Sequence, residues 1–92
     1  MLNFTDYKHT QNDQVVSAVL YDGTPEMARE ILDWLDTAKC VVDVDYINGE
    51  LVTNPNEKYE SVINKDYYLY VTEGKGLAIY PVELFEAHFA KA

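Results

Sequence analysis

A single strong helix signal, set among short strand-like segments, limits the folds open to this chain more than any other feature. Asp22-Gly23 marks a turn, and Thr24 can cap the helix that follows. Pro25 suits the first helical position. Within residues 22–39 the apolar side chains recur at helical spacing, and they are Met27, Ile31, Trp34, Leu35 and Ala38. The pattern predicts one amphipathic helix with its apolar face docked on a sheet.

Segments typical of strands flank this helix on both sides. Residues 14–21 are rich in β-branched side chains and apolar at successive positions, as a central strand would be. Residues 40–53 alternate between apolar and polar side chains, with Asn48-Gly49 at the point where a tight hairpin would turn. A further short strand is predicted within residues 58–63.

The last third of the chain predicts a hairpin and a closing helix. Residues 67–72 alternate as a strand does, Glu73–Gly76 turns the chain, and residues 77–80 return it. Pro81 then starts a helix whose apolar stripe holds Leu84, Phe85, His88 and Phe89. The fold class predicted is therefore α+β: a mainly antiparallel sheet of about five to six strands, one helix packed on a face, and a short C-terminal helix. The other face of the sheet is expected to stay partly exposed.

Length and composition predict one domain. The 92 residues, 48% of them hydrophobic, suffice for one small core and leave no room for a second. Residues 1–92 are therefore taken as a single domain. Residues 1–13 are mixed and polar, so we expect a flexible arm that Phe4 and Tyr7 can pin to the body.

The charge of the chain bears on its partners. Seven basic residues against sixteen acidic ones give a net charge of −9, which disfavours direct binding to nucleic acid or to anionic membranes. It favours a host protein with a basic surface, such as one that binds nucleic acid, although the same charge also serves solubility alone. The lone Cys40 excludes an internal disulfide, and no basic lead precedes an apolar run at the N-terminus. We expect a protein of the bacterial cytosol.

Catalytic and metal-binding patterns are weak. Asp43, Asp45 and Asn48 resemble the start of a calcium loop, but Ile47 occupies the fifth position, where a calcium loop needs an oxygen ligand. An alternating strand followed by a hairpin explains the same residues. His9 and His88 lie near opposite ends of the chain, so nothing in sequence joins them to Cys40. The sequence predicts no enzyme, no metal site and no cofactor.

The C-terminal part resembles a family of small uncharacterised bacteriophage proteins. The resemblance lies in Lys65-Asp66-Tyr67, the glycines Gly74 and Gly76, Ile79-Tyr80-Pro81 and Phe85, with Trp34-Leu35 on the early helix. The family's usual first glycine is Lys65 here, and the acid expected after the second glycine of the turn is Leu77. The resemblance implies a phage origin and this architecture. It implies no catalytic mechanism.

Three functions remain open from the sequence. The first is a phage-encoded inhibitor of a host protein, for example an antiviral factor such as a CRISPR effector. Its predicted partner-binding residues are Asp43, Asp45, Glu50, Tyr68, Tyr70 and Tyr80, although ordinary sheet packing explains each tyrosine equally well. The second is a phage structural or accessory protein that self-associates, as a homodimer for example. The third is a binder of a nucleotide signal, which the acidic balance disfavours because Arg29 is the only arginine.

Overall fold

A computed structural model describes residues 2–92 as two antiparallel sheets and two helices. The elements in chain order are β1 (Thr5–His9), β2 (Val15–Leu20), α1 (Pro25–Thr37), β3 (Val44–Ile47), β4 (Glu50–Thr53), β5 (Ser61–Ile63), β6 (Tyr67–Val71), β7 (Leu77–Pro81), α2 (Val82–His88) and β8 (Phe89–Lys91). The predicted α+β class is confirmed. Eight strands form within residues 2–92, instead of the five or six predicted, because the two ends of the chain also pair. Neither described helix has the length and apolar character needed to cross a lipid bilayer.

The larger sheet has five strands in the order β7-β6-β2-β1-β8. The strand predicted over residues 14–21 is β2, and it lies at the centre of this sheet as its apolar composition indicated. The predicted hairpin of the last third is β6 and β7, paired from Tyr67 opposite Pro81 to Val71 opposite Leu77. The sequence therefore located the middle of the large sheet correctly.

The smaller sheet has three strands in the order β3-β4-β5. Asn48 and Gly49 both have positive φ, at 53° and 80°, as a type I′ turn requires. The turn sets Ile47 opposite Glu50 and Asp45 opposite Val52. Residues 40–43, predicted to open this strand, form a loop instead, and β3 begins only at Val44.

Helix α1 begins as its sequence indicated and ends at Thr37 with a hydrogen-bonded cap. The Thr24 hydroxyl accepts a hydrogen bond from the Met27 N–H at 3.2 Å, which satisfies one of the free donors of the first turn. At the other end the Lys39 N–H donates to Asp36 and the Cys40 N–H donates to Leu35. These two bonds form a Schellman motif, which requires the left-handed φ of 57° at Lys39.

Two hydrophobic clusters lie on opposite faces of the large sheet. One holds α1 against this sheet and the small sheet together, and its buried members are Val19, Tyr21, Ala28, Ile31, Leu35, Leu51, Ile63 and Leu69. The other lies under α2, and its buried members are Val16, Ala18, Tyr68, Tyr70, Phe85 and Phe89. Both faces of the large sheet are therefore covered, and the first cluster joins the two sheets.

The flexible arm predicted over residues 1–13 is wrong where the structure describes it, and Met1 lies outside the described residues. Thr5–His9 is an inner strand that pairs with β2 on one side and β8 on the other. Although most of this segment is polar, its side chains alternate between the two faces of the sheet, and Tyr7 packs against the core. Phe4 does pin the segment, since its ring contacts that of Trp34 at 5.0 Å.

The partly exposed sheet face predicted from the tyrosines is also wrong. The short helix α2 crosses that face and buries Phe85 completely, and the chain then continues into β8, which places Phe89 beside it at 4.4 Å between ring centroids. A β8 strand was not predicted. Its apolar content is small, and only the pairing with β1 makes it a strand.

Candidate protein-binding face

The outward face of the three-stranded sheet gathers acidic side chains around a small apolar centre. In an antiparallel sheet, residues directly opposite each other point to the same face, so the strand register shows which side chains share the outward face. Asp45, Val52 and Val62 form one row across the three strands, and Ile47 lies opposite Glu50 in the next. We call this the acidic sheet face, and it consists of Asp43, Asp45, Ile47, Glu50, Val52, Glu60 and Val62.

The inward face of the same strands holds the small sheet in place. Leu51 is fully buried and lies opposite Ile63, which is also buried. Val44 and Tyr46 pack against the same cluster from the neighbouring strand. Because a shift of one residue in register would turn these side chains outward, burial of the inner face fixes which residues form the acidic sheet face.

The ends of the acidic sheet face are set by hydrogen bonds just beyond the strands. The Asn54 N–H donates to the Asp43 carbonyl oxygen at 2.7 Å, so the pairing of β3 with β4 continues one residue past the strands. Glu60 precedes β5, and its Oε1 accepts from the Asn56 N–H at 2.9 Å. Asp43 and Glu60 therefore lie at one end of the face.

The centre of the acidic sheet face is apolar and only partly accessible. Ile47 beside the hairpin turn is 36% exposed, Val62 on the outer strand β5 is half-buried, and Val52 on the middle strand is buried. An apolar centre with a polar border is the common anatomy of a protein–protein interface.

The carboxylates of this face are not neutralised within residues 2–92. The three strands contain no lysine or arginine, and Asp43, Asp45, Glu50 and Glu60 are all exposed. Asp45 accepts a hydrogen bond from the Tyr46 N–H, and none of the four carboxylates forms an ion pair with a described residue. The face therefore presents its full negative charge to solvent.

The predicted contact tyrosines belong to the core. Tyr68 is 7% exposed and Tyr70 8% exposed, and both side chains lie under α2. Tyr80 is half-buried and stacks on Tyr70 at 6.2 Å. The prediction that Tyr68 and Tyr70 belong to an exposed recognition face is therefore wrong, because the closing helix covers both rings, whereas Tyr80 is covered only in part.

The burial of these tyrosines shifts their ionisation. Burial raises the pKa of Tyr70 to about 12, with the neighbouring Tyr80 adding to the effect. The Tyr7 side chain, hydrogen-bonded to Tyr68, raises the pKa of that phenol, and burial acts in the same direction. Both phenols are protonated at neutral pH and act as packed, polar-tipped rings.

Two histidines distant in sequence meet in the fold. The rings of His9 and His88 stack with centroids 6.1 Å apart, and the Thr10 N–H donates to the His88 carbonyl oxygen. The Gln11 N–H donates to Nδ1 of His9, which leaves that nitrogen without a free lone pair for a metal ion or a substrate proton. No group of three or more metal-ligating side chains is arranged to hold an ion in the described part of the chain.

A surface groove of about 420 Å³ lies where β1 begins and β2 ends, beside the first turns of α1. Its walls carry Asp22, Glu26 and Glu30 among apolar residues such as Leu20 and Met27. Carboxylates in this position repel a phosphate group, so the groove does not suit the nucleotide ligand of the third sequence hypothesis.

Comparison with models of protein families, with curated proteins and with solved structures gives no match to this chain. The resemblance to a phage family therefore stays a prediction from the sequence.

Proposed function

We propose that the protein acts by binding, without catalysis, and that the acidic sheet face docks on a basic surface of another protein. The observation that carries the proposal is the group of four exposed, unneutralised carboxylates around the apolar centre of that face. The predicted contacts Asp43, Asp45 and Glu50 are retained, and the three tyrosines, which pack under α2, are replaced by Ile47, Val62 and Glu60.

Charge supports this partner class. All sixteen acidic residues are exposed except Glu30, which is half-buried, so the net charge of −9 is displayed almost entirely on the surface. A surface of this kind accelerates association with a basic protein and slows encounter with nucleic acid or anionic lipid. A protein groove that normally holds nucleic acid has a positive electrostatic potential, which is complementary to this negative surface.

The apolar centre supports a lasting complex in addition to a fast encounter. Exposed charges alone contribute little affinity, because water and salt screen them. Covering Ile47 and Val62 adds apolar burial within the contact, and buried apolar contacts supply much of the binding energy of an interface.

The biological setting proposed is the one that the sequence resemblance implies. The protein is a phage-encoded inhibitor that acts in the host bacterial cytosol on an antiviral factor such as a CRISPR effector. Blocking a basic nucleic-acid channel requires only a stable acidic face of sufficient size, so inhibition needs no catalytic group.

A pull-down tests the proposal. The tagged protein is incubated with bacterial lysate at low and at high salt, and the captured proteins are identified by mass spectrometry. We expect a basic nucleic-acid-handling protein whose recovery falls at high salt, because exposed charges are screened beyond about 8 Å at physiological ionic strength. Recovery of neutral proteins only, or of a partner indifferent to salt, would contradict the proposal.

A further inference from the structure

The free edge of the large sheet at β7 differs from the other strand edges of the molecule. β8 and β5 have only three residues each, and β3 carries Asp45 between its apolar residues. Short strands and charges of this kind protect an edge against pairing with other chains. β7 has five residues, Leu77–Pro81, and none of them is charged.

The backbone of β7 presents unpaired groups to solvent. In an antiparallel ladder, alternate residues form hydrogen bonds to the neighbouring strand. The Thr72 N–H donates to the Gly76 carbonyl oxygen, and the Val82 N–H donates to the Asp66 carbonyl oxygen, so Gly76 and Val82 bond toward β6. The same alternation turns the N–H and C=O groups of Leu77 and Ile79 away from β6. Within residues 2–92 these outward groups form no hydrogen bond.

We propose that β7 pairs with β7 of a second copy of this chain, antiparallel and centred on Ile79, to form a two-fold symmetric dimer. In this register the two Ile79 residues exchange two hydrogen bonds, and each Leu77 lies opposite Pro81 of the second copy. The outward N–H and C=O groups of Ile79 are then satisfied in both strands. Pro81 has no N–H, so the pairing stops there.

Side-chain size supports the same register. On the α2 side of the sheet, Ala78 lies opposite Tyr80 of the second copy, which places a small residue beside a large ring. On the α1 side, Ile79 lies opposite itself and Leu77 lies opposite Pro81. All four side chains before Pro81 are half-buried and apolar enough to gain from being covered.

Charge at the two ends of β7 selects the antiparallel arrangement. Lys75 lies two residues before the strand and Glu83 two residues after it, and both are exposed. Pairing centred on Ile79 brings Lys75 to the same end of the paired strands as Glu83 of the second copy. A parallel arrangement would instead bring like charges together, so a second copy in antiparallel orientation is the occupant that this edge fits.

Sedimentation velocity between micromolar and near-millimolar protein, at physiological salt, tests the dimer. We expect a shift toward twice the 10.6 kDa mass of one chain as concentration rises. Lys75→Glu should raise the dimer dissociation constant about five- to thirty-fold, and Lys75→Glu with Glu83→Lys should restore it. Lys58→Glu makes the same change in net charge on a distant loop and serves as the control.

Cross-linking tests the register itself. In a Cys40→Ser background, Ile79→Cys should form a disulfide-linked dimer on mild oxidation, since directly opposed residues have Cα atoms about 5.5 Å apart. Leu77→Cys should not, because the two copies of residue 77 would be separated by more than about 13 Å. A monomer at every concentration would overturn the proposal. A dimer that ignores the charge changes and fails to cross-link at residue 79 would overturn it as well.

Discussion

The ring of Tyr68 lies flat on the ring of Phe85, with centroids 4.1 Å apart and an angle of 16° between the planes. Tyr7 meets Phe85 edge-on at 4.9 Å. Phe85 thus joins the short helix α2 to two strands of the large sheet, and Phe89 stacks on it from β8. Helix α2 has only 7 residues, which is too short to be stable by itself. Packing of the Phe85 ring therefore contributes most to holding this closing segment in place.

Replacing Phe85 with alanine should therefore destabilise the whole domain. Phe85 is completely buried, and truncation of a buried phenylalanine costs about 3–5 kcal/mol through lost transfer energy and the cavity left behind. Urea unfolding followed by circular dichroism measures the change in the free energy of unfolding. Leu84→Ala on the same helix is the matched control, and because Leu84 is 46% exposed its loss should cost under about 1 kcal/mol. Equal effects from the two variants would contradict this packing.

Replacing Lys39 with glycine should stabilise the protein. Lys39 adopts a φ of 57° at the end of α1, a conformation that costs a residue with a Cβ atom about 1–2 kcal/mol and glycine very little. Since glycine also has more freedom to lose from the unfolded chain, we expect a net gain of about 0.5–1 kcal/mol in thermal unfolding. Lys39→Ala should give no gain, because alanine carries the same Cβ. A stabilisation by alanine as large as that by glycine would show that side-chain charge, rather than backbone strain, is the cause.

Alkaline pH should weaken the fold through Tyr70. Its pKa is raised to about 12 in the folded protein, against about 10 for an ordinary phenol, so the folded state keeps a proton that the unfolded chain releases. This contribution to stability is complete below pH about 10 and is lost as the pH rises toward 12, on the order of 2 kcal/mol in all. Tyr70→Phe should flatten the fall in unfolding free energy over that range. Tyr59→Phe, at an exposed position, should leave it unchanged, and a flat profile for the unmodified protein would contradict the prediction.

The parts of this fold that sequence could predict are those fixed by local chemistry. The α1 helix follows from Thr24 and Pro25, and the hairpin follows from Asn48-Gly49, because caps and tight turns depend on only a few neighbouring residues. The acidic members Asp43, Asp45 and Glu50 were predicted as contacts from their residue types, and the structure leaves them exposed.

The parts that sequence missed depend on pairing across the chain. β1 and β8 lie at opposite ends of the sequence and become strands by pairing with each other, and β1 also pairs with β2. The predicted tyrosine face failed for a related reason, since the alternation of Tyr68 and Tyr70 does not say which face α2 will cover. Ile47, Val52 and Val62 were overlooked as the centre of a binding face. The register implied by Asn48-Gly49 already places Val52 opposite Asp45, so that signal was present in the sequence.

The most direct test of the acidic sheet face compares two charge-reversed variants that differ only in where the charge changes. Asp45→Lys with Glu50→Lys reverses the face, and Asp33→Lys with Asp36→Lys makes the same change in net charge on the exposed side of α1. Both tagged variants and the unmodified protein are used to capture partners from bacterial lysate, and the recovered amounts are compared by quantitative mass spectrometry. We predict that reversal of the face lowers recovery of the basic partner at least about tenfold, whereas reversal on α1 lowers it by less than about threefold. Equal losses from the two variants would show that the partner responds only to net charge, and would contradict a binding site on this face.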